Sequence, residues 1–116
     1  MYMSNRTKNT KEKGNIEFFI YQNKIGGNFT GVCLTFDIVE EGADPESLMK
    51  SLEEAALLHI ETVRENKLPD KLLNRPAPKK YWNKYLQSLE KLQHRPAAPV
   101  SFRVSPYMSN RVWQKA

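Results

Sequence analysis

Apolar and polar positions alternate first with a period of two and then with a period near 3.6. Residues 16–22 place Ile16, Phe18 and Ile20 on one side and Phe19 and Tyr21 on the other, all good strand formers. Asn23, Lys24, Gly26, Gly27 and Asn28 are turn residues, and a second apolar run follows at 29–35, so the two runs read as a hairpin. Gly31 inside the second run marks a bulge or a close backbone approach. Residues 36–41 read as a third strand or a bent continuation of the second, with Phe36 and Ile38 sharing a face.

The period then changes. Gly42 ends the strand pattern, Asp44 is placed to cap a helix, and Pro45 suits the first helical position, where a missing N–H costs nothing. From Leu48 to Val63 the apolar positions 48, 52, 55, 56 and 63 form one stripe that also takes in His59, with Met49 and Ile60 along its margin. Residues 67–78 are a proline-containing linker. Residues 79–94 predict a second amphipathic helix, with Tyr81, Trp82, Tyr85, Leu86, Leu89 and Leu92 available for its stripe. Residues 100–104 alternate again as a short fourth strand. The expected fold is α+β: an antiparallel sheet of three to four strands in the order β-β-β-α, then a second helix and a short strand, with a helix packed on one face. The expected organisation is a polar, disordered tail at 1–14, one domain at 15–104 and a C-terminal tail at 105–116 pinned by Trp113.

Composition adds the distribution of charge. The 116 residues carry a formal net charge of +5. Residues 37–66 hold nine acids and two bases, whereas residues 67–95 hold eight bases and two acids. An acidic helix therefore precedes a basic segment, a pattern suited to intramolecular pairing or to a charged partner. Cys33 is the single cysteine, so no internal disulfide can form. There is no apolar run long enough for a membrane span and no signal-peptide core, and the expected location is cytoplasmic.

The order of elements, carried by Asn28 to Asp37, then by Gly42, Asp44, Glu46, Leu48 and the run Glu54-Ala55-Ala56, resembles the HicB-type antitoxin domain over about residues 15–66. The resemblance implies a partial ribonuclease H-like fold, generally without nuclease activity. Such a module binds a small basic HicA-like toxin, and it often self-associates. It implies no catalytic residue and no cofactor. Many members add a C-terminal helix-turn-helix or ribbon-helix-helix that binds DNA. This chain departs from them after Asn66, where a linker, one helix and a strand follow.

The candidate chemistry is sparse. Asp37, Glu40 and Glu41 form the tightest acidic group near a strand end, and carboxylates of this kind hold Mg²⁺ in metal-dependent nucleases. A regular strand would turn Asp37 and Glu40 to opposite faces, and a solvated strand end explains them equally. His59 falls on the helix stripe as a packing residue, and His94 ends the second helix, where positive charge is favourable. Cys33 reads as a buried strand thiol. Gly26-Gly27 reads as a turn and lacks the Lys-Ser/Thr of a phosphate loop. Glu46, Glu53, Glu54, Glu61 and Glu65 are the candidate partner-binding face; a solvated surface, or pairing with the basic segment, are the other readings. Lys79, Lys80, Trp82 and Lys84, with Lys91, Arg95 and neighbouring tyrosines, are the candidate nucleic-acid surface, against an ordinary amphipathic helix. Two functions stand: a non-catalytic HicB-like antitoxin or orphan relative that binds protein and forms a homo-oligomer through a strand edge, and a small RNA-binding or nuclease-like protein.

Overall fold

The computed structural model describes residues 8–94 and 100–108. The chain runs β1 (Lys13–Gln22), β2 (Phe29–Cys33), β3 (Ile38–Gly42), α1 (Pro45–Glu65), a 3-10 turn (Asp70–Leu73), α2 (Lys79–His94) and β4 (Val100–Met108). The strands form one antiparallel sheet in the order β3-β2-β1-β4. The α+β class and the element order are those expected; the pairing of the fourth strand with β1 is supplied by the structure.

Both faces of the sheet are covered. Ile16, Phe18, Ile20 and Cys33 pack against Leu48, Met49, Leu52, Ala56, Ile60 and Val63 of α1. On the other face Phe19, Val32 and Leu34 pack against Trp82 and Tyr85 of α2. Phe19 anchors this second layer: its ring stacks on Phe102 at 5.4 Å and meets the edge of Tyr85 at 5.5 Å. The expected single helix on one face is thus completed by a second helix on the opposite face. The reason lies in β1, whose alternate side chains are apolar on both sides; such a strand is stable only when both faces are removed from water.

The linker joins these layers by crossing the end of the sheet where β1 starts and β2 stops. His59 Nε2 donates to the Leu72 carbonyl at 2.6 Å and fixes the 3-10 turn against α1. Ala77 N–H then donates to the Leu34 carbonyl at 2.9 Å, and its side chain is already in the α2 layer.

Several boundaries move. β1 starts three residues before the expected position because β4 pairs with it as far as Gly14↔Tyr107 and Lys13↔Met108. The strand expected at 100–104 continues to Met108 for the same reason. β2 stops at Cys33, and the chain turns through Asp37, which takes a positive φ of 59°. An aspartate tolerates that conformation better than most residues. Phe36 therefore enters the α1 layer from a turn and not from a strand.

The segment before β1 is tied down from Asn9 onward, within the stretch where a disordered tail was expected. Asn9 is buried, and its side-chain amide donates to the carbonyls of Asn15 and Leu73. Asn74 meets the Asn9 main chain as a neighbouring strand would, accepting from its N–H at 2.7 Å and donating to its carbonyl at 2.8 Å. Lys11 pairs with Asp70 at 2.8 Å, and Tyr107 donates to the Thr10 carbonyl at 2.8 Å. Residues 1–7, Arg95, the remaining C-terminal tail with Trp113, and the side chains of Lys91, Leu92 and His94 lie outside the described residues.

Candidate functional site: two charged helix faces

The α1 face is built by its N-terminal cap. Asp44 accepts from the Ser47 hydroxyl at 2.6 Å and from the Ser47 N–H at 3.2 Å. These bonds hold its carboxyl below the ordinary value. With Pro45 in the first turn, the cap fixes the rotation of the helix, so that Leu52, Ala56, Ile60 and Val63 face the sheet. Glu54, Leu58, Glu61 and Glu65 then follow one another along the outer face at helical spacing, all exposed, and Glu46 lies exposed at the first turn. Leu58, 63% exposed, is an apolar position within this acidic surface.

Glu53 does not belong to that surface, contrary to the sequence expectation. It sits at the margin of α1 over β4, almost fully buried, and Arg103 Nη1 donates to its Oε2. Only part of this pair was legible in the sequence, namely that Arg103 and Phe102 take opposite faces. With Phe102 packed in the α2 layer, Arg103 points to the α1 face, where a charge needs a partner.

The basic surface occupies the opposite side of the molecule. Lys79, Lys80 and Lys84 are exposed on α2. Lys80 Nζ lies 5.0 Å from the Tyr81 ring centroid, and Lys84 Nζ lies 4.8 Å from that of Tyr21. Trp82 is turned inward, 6% exposed and edge-on to Tyr85, so it cannot serve as the stacking platform that the sequence suggested. The sheet stands between α1 and α2. Glu46, Glu61 and Glu65 thus lie on the far side of the sheet from Lys79, Lys80 and Lys84, and the charge separation seen along the sequence becomes a separation across the sheet.

The remaining candidates do not converge. Asp37 is exposed in the turn before β3, Glu40 accepts from the Ser51 hydroxyl at 2.6 Å, and Glu41 points away from Glu40 along the strand. Among the described residues no three of His, Cys, Asp and Glu gather as a metal site. His59 packs with its ring 4.7 Å from Phe36 while it bonds to Leu72. Cys33 lies in the α1 layer, where burial pushes its thiol up to about 12 and keeps it protonated. Among the described residues no helix is long and apolar enough to cross a membrane. Comparisons of the chain with protein-family models, with curated proteins and with solved structures find no match.

Proposed function

We propose that this protein is a non-catalytic, HicB-like binding module of the cytoplasm, an antitoxin or orphan relative, which takes a small basic HicA-like protein on the outer face of α1. The observation that carries this reading is the exposure of Glu46, Glu61 and Glu65 on a helix separated by the sheet from the lysines of α2. A row of carboxylates beside the exposed Leu58 supplies both steering charge and an apolar contact for such a partner. The buried thiol of Cys33 fits a reducing compartment.

The test is titration of the full chain with a small basic HicA-like protein. Binding should weaken as salt rises, and the double variant Glu61→Lys/Glu65→Lys should weaken it at least tenfold. Equal affinity of the variant would refute this use of α1, and no binding at all would refute the HicA-like partner.

A second reading is favoured by the exposed lysines of α2: binding of single-stranded RNA along Lys79, Lys80 and Lys84. It predicts RNA affinity that falls steeply with salt and is lost when all three become alanine. Its nuclease form predicts Mg²⁺- or Mn²⁺-dependent cleavage that needs Asp37 and Glu40. RNA that elutes unretained at low salt, and stays intact at high protein concentration, would remove both forms.

A further inference from the structure

β4 borders the sheet, and among the described residues no strand lies on its far side. Pro106 tells which main-chain groups face outward. It stands opposite Asn15 of β1 and has no N–H, so that pair is a non-hydrogen-bonded one. The two kinds of pair alternate in an antiparallel ladder. Arg103, opposite Phe18, therefore bonds to β1, and Val100, Phe102 and Val104 turn their N–H and C=O groups outward. The opposite side of β1 agrees: the Glu17 carbonyl accepts from Leu34, beyond β2, which leaves Ile16, Phe18 and Ile20 to bond to β4. The Met108 carbonyl, next in the outward series after Pro106, accepts from Arg64 Nη2 at 2.7 Å.

The side chains of Val100, Phe102 and Val104 all lie on the α2 face. Phe102 is packed on Phe19 and Tyr85, but Val104 is 55% exposed. Among the described residues the apolar layer under α2 thus runs out to the edge of the sheet and stops there.

We propose that β4 pairs antiparallel with β4 of a second copy about a two-fold axis at Phe102, joining two four-stranded sheets into one. In this register Phe102 meets the partner's Phe102, and Val100 meets the partner's Val104. Every outward N–H of the three residues finds a carbonyl, for about six main-chain hydrogen bonds. Pro106 falls outside the ladder, whereas shifting the register toward it would leave acceptors without donors. Val104 is covered by the partner's Val100, which continues the α2-side apolar layer across the axis. The charges also fit: Arg103, already neutralised by Glu53, stands beside the partner's Ser101, so no like charges oppose each other. The other edge is unsuited to the role. β3 has five residues, and pairing its outward residues Val39 and Glu41 about a two-fold axis would set Glu40 against its own copy, or Glu41 against its own copy when the axis passes through Glu41.

The experiment is sedimentation equilibrium of the full chain from about 1 μM to 1 mM, beside two variants. Val104→Pro removes an outward N–H and leaves the bonds to β1 in place; Val104→Lys sets a charge on the edge. The mass of the unaltered chain should rise with concentration from 13.5 kDa to twice that value. Both variants should raise the dimer dissociation constant at least tenfold, with unchanged circular dichroism and, at concentrations where the parent is monomeric, a closely similar thermal midpoint. A monomer at every concentration would overturn the proposal, as would a dimer indifferent to both variants. A monomer that dimerises only after removal of residues 109–116 would also overturn it, giving the edge to the chain's own C-terminus.

Discussion

Gly31 is where the packing of α1 on the sheet can be measured most directly. A Cβ at this position would lie 2.7 Å from Leu52 Cδ1 and 2.9 Å from Leu48 Cγ. Ordinary carbon contacts are about 3.5–4.0 Å, so Gly31→Ala forces an overlap of roughly 0.8 Å. Leu52 is fully buried and Leu48 nearly so, and α1 is held at its start by the Asp44 cap, so neither leucine has free space to enter. Overpacking of this kind costs about 1–3 kcal/mol. Loss of glycine flexibility in the unfolded chain returns about 0.4–1 kcal/mol. The net expectation is a destabilisation of about 1–2 kcal/mol. With an unfolding entropy of about 0.2 kcal/mol/K for a domain of this size, the thermal midpoint should fall by about 5–10 °C. Urea and thermal unfolding followed by far-UV circular dichroism would measure both quantities. Leu52→Val removes the closest atom, so Gly31→Ala/Leu52→Val should be more stable than the sum of the single changes by at least about 0.5 kcal/mol. An alanine variant as stable as the parent, or strict additivity in the double variant, would refute the placement of α1 directly over β2.

Arg103→Ala should destabilise the fold by about 1–2 kcal/mol, less than a fully buried pair because Arg103 is half exposed; a double-mutant cycle with Glu53→Gln that shows no coupling would refute the pairing. Cys33 should be inert to a thiol reagent at pH 8 in the native protein and react on unfolding in urea, with a rate that tracks global unfolding; fast native labelling would contradict its burial. Asp44 has a folded-state carboxyl pKa below its unfolded value, so its stabilisation is present above pH ~4 and is lost as pH falls through the folded value. The gap in thermal midpoint between the parent and Asp44→Ala should thus be full at pH 7 and narrow below pH ~4, and a pH-independent gap would show that the cap is not formed. Tyr107 is pushed up to about 12, chiefly by burial, so its contribution is complete below pH ~10 and declines as pH rises toward 12; a phenolate spectrum showing every tyrosine ionised near pH 10 in the folded state would refute it.

Local signals read well in this chain, and distant ones did not. The Asp44-Pro45 start, the α1 stripe, the β1–β2 hairpin and the extent of α2 each depend on residues close in sequence, where spacing and capping chemistry act directly. The candidate site was half legible. Exposure of Glu46, Glu54, Glu61 and Glu65 follows from the helical period, but the inward turn of Trp82 depends on which face of α2 meets the sheet. Glu53 required knowing that Arg103 lies on a neighbouring strand fifty residues away. The tie between Asn9 and Asn74 had no sequence signal, since two asparagines in polar segments become a ladder-like pair only once β1 and the linker are adjacent.

The sequence by itself determined the α+β class, the order of elements and the polarity of charge along the chain. Periodicity and helix caps are properties of neighbouring residues, and they survive without tertiary contacts. The tertiary structure decided that α2 covers the face opposite α1, that β4 closes onto β1 for its full length, and that acid and base end on opposite sides of the sheet. Those outcomes depend on which apolar surfaces can be buried together. The apolar side chains on both sides of β1 made burial of both faces necessary, and only packing could choose which helix covered which.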